Sequence, residues 1–136
     1  MLVENMDWRI RKCRFIAAND FRAEATTATF NLPLPSPGGY IMDIQGRVVT
    51  AFTGITGPIR VKIGFAGSTE HIMADQTIDT AGVLFPSDKG MYHNFFCARR
   101  TMLYGMPQII ITFTSDSGNL SDMTAGEVEF LVFYVN

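Results

Sequence analysis

The chain has 136 residues and a formal net charge of −2, with 47% hydrophobic and 18% charged residues. This composition excludes an intrinsically disordered chain and gives no global pull toward nucleic acid. Two cysteines without a CxxC pair exclude a disulfide-dense scaffold, and the length suits one domain that buries roughly two thirds of its unfolded surface.

Met1 to Asp7 reads as an extended arm or lead-in, and residues 8–136 as a single sandwich domain. The opening residues lack the apolar stretch of a secretion signal, and no apolar run approaches the ~20 residues that cross a bilayer as a helix. The expected home is a reducing cytoplasm, where Cys13 and Cys97 behave as small buried hydrophobes in preference to a disulfide. A first strand covers Trp8 to Ile16. Its parity changes partway, with Trp8 and Ile10 on one face and Cys13 and Phe15 on the other, which predicts a bulge or a strand switching sheets. Ala17 to Glu24 reads as a polar connection. Thr26 to Leu32 alternates cleanly, setting Ala28, Phe30 and Leu32 on one side and Thr27, Thr29 and Asn31 on the other.

The Pro- and Gly-rich cluster Pro33 to Gly39 ends that strand as a turn. The longest strand follows, Tyr40 to Thr53, with Tyr40, Met42, Ile44, Val48 and Phe52 sharing a face. Gly54 to Pro58 turns into Ile59–Phe65, which is expected to complete a hairpin with it. Ala66-Gly67-Ser68 is the next turn, and Glu70 to Met73 a short ambiguous stretch. From Ala74 to Pro107 the rhythm weakens into aromatic- and Met-rich sequence. That stretch reads either as a strand pair or as a surface packed on another chain. Gln108 to Thr114 and Glu127 to Val135 are strands, joined as a final hairpin by the Ser-, Asp- and Gly-rich loop Ser115 to Ala125. Short strands separated by turns, with almost nothing helical, predict an all-β protein: an antiparallel β-sandwich, jelly-roll-like.

No catalytic constellation overlies this pattern. Gly64 to Thr69 resembles a phosphate loop but lacks the Gly-Lys-Ser/Thr ending and any following helix, so it reads as a hairpin turn. Ser68, His71 and Asp75 lie in one short polar connection without a strained elbow or an oxyanion donor. His93 has Asp88 five residues away, and two histidines without a thiolate cluster do not build a zinc site. Asp116, Asp122, Glu127 and Glu129 match no calcium-loop spacing; they read as solubilising, with the Glu127 and Glu129 face guarding an edge. Arg99 and Arg100 sit beside aromatics, but a lone pair is not a backbone-tracking patch. No cofactor and no metal are expected.

Charge is unevenly spread. Arg9, Arg11, Lys12, Arg14 and Arg22 crowd the first 22 residues, while from Thr101 onward every charge is acidic. Two readings stay open: a solvated edge strand protected by its cations, or complementary chain ends suited to ordered contact between subunits.

The order of features carries a resemblance. Thr26 to Tyr40 (TTATFNLPLPSPGGY) enters the strand IMDIQGRVVTAFTG, then VKIGFAGSTE and ADQTIDTAGV, and the chain closes with SDMTAGEVEFLVFYVN. Over Thr26 to Asn136 this resembles the jelly-roll cement or decoration proteins of tailed bacteriophage capsids. The resemblance implies a non-enzymatic virion structural protein, made in the host cytoplasm and placed on the capsid surface. It implies binding to the major capsid protein or other virion proteins as a dimer or trimer that bridges neighbouring capsomers. It implies no direct contact with nucleic acid or membrane. Trp8, Arg9, Arg11, Lys12, Arg14, Phe95, Phe96, Arg99, Arg100 and Tyr104 are the interface candidates, because Trp, Tyr and Arg most often dominate interface energies. The competing reading is a carbohydrate- or receptor-binding sandwich of a tail or fibre, using Tyr92, His93 and Asn94.

Overall fold

The computed structural model describes residues 8–32, 40–65, 67–84 and 109–135. The lead-in Met1 to Asp7, the turn Pro33 to Gly39 and residues 85–108 lie outside them. The strands are β1 (Trp8–Ile16), β2 (Thr27–Leu32), β3 (Tyr40–Thr53), β4 (Ile59–Phe65), β5 (Ser68–Thr77), β6 (Gly82–Leu84), β7 (Ile109–Ser115) and β8 (Ala125–Val135). One helical turn, α1 (Ala17–Asp20), joins β1 to β2.

The pairing has a simple logic. β4 pairs with β5, β3 with β6, β2 with β7 and β1 with β8, all antiparallel. This is one long ribbon folded back at the β4–β5 turn. Rolling the ribbon adds two contacts, β3 with β8 and β4 with β7. The result is two four-stranded sheets, ordered β1-β8-β3-β6 (sheet A) and β2-β7-β4-β5 (sheet B). That is the strand order of a jelly roll, within the all-β sandwich class that the periodicity anticipated.

Alternation fills the space between the sheets. Ile44, Val48 and Phe52 from β3, Val61 and Ile63 from β4, Ile111 and Phe113 from β7, and Val128, Phe130 and Val132 from β8 are buried. Each such side chain contributes about 1.5–3 kcal/mol of hydrophobic stabilisation. Phe113 is the hub, with ring centroids 4.8 Å from Phe21, 5.2 Å from Phe15, 5.8 Å from Phe30 and 6.3 Å from Phe52. Two glycines permit close approach. A Cβ on Gly64 would strike the Ser68 carbonyl and the Thr69 backbone across the β4–β5 hairpin. At Gly126 (φ +149°) a Cβ would penetrate the Phe52 ring.

Several expectations need correction. β4 forms no hairpin with β3, and β7 none with β8, because in each case the chain crosses to the other sheet. The β1 register with β8 runs unbroken from Trp8 to Ile16, so no bulge explains its parity; Ile10 simply lies on the outer face with Lys12 and Arg14. The connection after β1 is not merely polar: Ala17 and Phe21 are core residues, and the Asp20 carboxylate accepts the Ile16 N–H at 2.7 Å. β5 extends well beyond Glu70 to Met73. β8 lies between β1 and β3, so Glu127 and Glu129 guard no edge.

Candidate interaction surface

The outer face of sheet A gathers the charge of both chain ends. The register sets Arg14 across from Glu129 on β8, and Glu129 across from Arg47 on β3. The Glu129 carboxylate accepts from Lys12 Nζ at 2.9 Å, Arg14 Nη2 at 3.2 Å and Arg47 Nη2 at 3.2 Å. Arg14 Nε also lies 3.7 Å from Glu127. The basic first strand and the acidic last strand are therefore complementary within one chain. Hydrogen bonds from Lys12 hold the Glu129 carboxyl below the usual glutamate range, against desolvation, with Arg14 and Arg47 adding to the effect. Arg47 was not singled out by sequence. Its place at an outward position of an alternating strand was readable, but its partner was not.

Arg11 belongs to the other face of β1. It lies beside Cys13, whose free thiol is raised by partial burial and lowered in part by the Arg11 guanidinium. Trp8 and Arg9 pair along the backbone with Val135 and Tyr134. Phe95, Phe96, Arg99, Arg100 and Tyr104, with Tyr92, His93, Asn94 and Cys97, lie outside the described residues.

The outer face of sheet B is built differently. Its rows run Thr27–Thr114–Arg60–Thr77 and Thr29–Thr112–Lys62. Hydroxyls dominate, and Arg60 anchors a corner: Nη2 meets Asp116 at 2.6 Å, and Nε lies 3.6 Å from Asp75. Asp75 thus faces a guanidinium, and Ser68, His71 and Asp75 all lie along β5. Gly64 to Thr69 is the β4–β5 hairpin, with Gly67 at φ +87°. Among the described residues no three His, Cys, Asp or Glu side chains gather as a metal site. The loop after β7 is held by Ser115, whose Oγ donates to the Gly118 carbonyl at 2.6 Å and accepts the Gly118 N–H at 2.9 Å.

No protein-family model and no curated protein matches this sequence. Among solved structures, the chain is similar to one in the "Cyanophage Pam1 capsid asymmetric unit". The identity is 16%, over 96% of this chain and 85% of that one, with a TM-score of 0.49.

Proposed function

We propose that this protein is a non-enzymatic structural component of a phage virion, a cement or decoration protein on the outer surface of the capsid. The observation that carries the reading is the complete jelly-roll strand order, which the sequence-level resemblance to such proteins implied. The inference from fold to role is an analogy. The chemistry of the surface agrees with it. Among the described residues the largest ionic cluster, around Glu129, ties the three strands β1, β8 and β3 together on one outer face. In this role the partner is the major capsid protein or another virion protein. A protein that binds only the assembled shell stabilises it by its own binding free energy, and repetition over many sites multiplies modest contacts.

The test is co-sedimentation of the purified protein with assembled shells that lack it. Saturable binding, with a rise in the temperature at which the shells come apart, is the expected result. Failure to sediment with any intact shell overturns the proposal.

A further inference from the structure

β1 and β2 are edge strands of the two sheets, and each pairs with a single neighbour, β1 with β8 and β2 with β7. Both ladders are unbroken, and both strands send partly buried residues to the core, Cys13 and Phe15 from β1, Ala28 and Phe30 from β2. Their side-chain fastenings differ in kind. β2 (TATFNL) has no ionisable side chain, and on the outer face its Thr27 and Thr29 lie across from Thr114 and Thr112. Nothing in that row changes charge with pH.

β1 (WRIRKCRFI) is the opposite case: Arg9, Arg11, Lys12 and Arg14, and no carboxylate of its own. The acids that touch it come from elsewhere. On the outer face Glu129 takes Lys12 at 2.9 Å and Arg14 at 3.2 Å, while Glu127 lies 3.7 Å from Arg14. At the end of the strand the Asp20 carboxylate accepts the Ile16 N–H. Glu129 also holds Arg47 of β3, so three cations share two carboxylates on this face. Arg11 lies on the inner face beside Cys13. Each exposed pair is weak alone, but protonating Glu129 removes three at once and leaves Lys12, Arg14 and Arg47 with Glu127 only.

We propose that β1 is an acid-sensitive latch, an edge strand that opens from β8 ahead of the rest of the sandwich when Glu129 is protonated, while β2 on the same side stays closed. The sign follows from the cluster. Its cations hold the Glu129 carboxyl below the ordinary glutamate range, so the fastening is complete at neutral pH and is lost as pH falls through the folded value. Opening bares the β8 ladder and uncovers Phe30 and Phe113, whose ring centroids lie 4.8 and 5.2 Å from that of Phe15. Local opening of one unit below the global transition is the ordinary behaviour of an edge element. The inference stands apart from the shell reading, because it concerns the isolated protein in solution.

Amide hydrogen exchange tests it, with the protection of Trp8–Ile16 read against that of Thr27–Leu32 and each corrected for the intrinsic rate at its pH. Between about pH 7 and about pH 3, β1 is expected to lose about fivefold more protection than β2. Glu129→Gln is expected to show that same loss in β1 already at neutral pH, and to respond less to acid. Asp116→Asn removes an exposed carboxylate that pairs with Arg60 on sheet B, and is expected not to lower β1 relative to β2. Loss of protection in β1 and β2 together on acidification overturns the proposal. So does a Glu129→Gln variant whose β1 is protected as in the wild type, or an Asp116→Asn variant that lowers β1 as much.

Discussion

Two clusters hold together strands that are distant in sequence, and they do so with different strength. Inside, Phe113 on β7 meets Phe15, Phe21, Phe30 and Phe52, rings drawn from β1, from the residue after α1, from β2 and from β3. Outside, Glu129 on β8 meets Lys12, Arg14 and Arg47 from β1 and β3. The aromatic cluster is buried at Phe21, Phe52 and Phe113 and partly buried at Phe15 and Phe30, and its stabilisation scales with area removed from water. The ionic cluster faces solvent, with Lys12 and Arg14 side chains about half exposed, so water and salt screen it. The interior supplies most of the stability. The exterior ion pairs join β1, β8 and β3 at positions that the backbone register has already brought together.

The sharpest way to break this contrast is at its hub. Phe113→Ala removes a fully buried ring and should cost about 3–5 kcal/mol in chemical denaturation. Phe30→Ala, at a partly buried position on β2, should cost clearly less. Equal losses would mean that the cluster has no centre.

A smaller effect is expected outside. The Glu129 pKa is lowered on folding, so the folded protein binds fewer protons than the unfolded chain as pH approaches the ordinary glutamate range. Stability from this group is fully present above the unfolded pKa and is lost as pH falls through the folded one. The melting temperature of the wild type should therefore drop on acidification over that window. Glu129→Gln should melt lower at neutral pH, with a flatter acid limb. An unchanged acid limb would move the linkage to other carboxylates.

The same contrast explains what could be read in advance. Inner faces were legible because a two-residue period needs only local sequence: Ala28, Phe30 and Leu32 on β2, and Ile44, Val48 and Phe52 on β3, fall as the alternation demanded. Strand neighbours were not legible. Proximity in sequence suggested a β3–β4 hairpin, but rolling the ribbon places those strands in different sheets. Phe21 was passed over because a buried ring after a single helical turn has no periodic signature. The basic first strand and acidic last strand were visible as opposites, yet whether they met each other or a neighbour depended on a pairing across more than 100 residues. Ile10 was set on the face opposite Cys13 and Phe15, and that parity holds; the bulge offered to explain an apolar residue there was unnecessary, because Ile10 is exposed on the outer face of an unbroken strand.

The proposed cement role predicts shell contact through shape and apolar surface, because Lys12, Arg14 and Arg47 are already engaged by Glu127 and Glu129 within the chain. Its most direct test is the affinity for shells lacking the protein, measured between about 0.05 and 0.5 M salt, where screening lengths shrink severalfold. The account expects saturable binding that changes by less than about threefold across that range. An affinity that collapses by tenfold or more as salt rises, or no saturable binding at all, would contradict it.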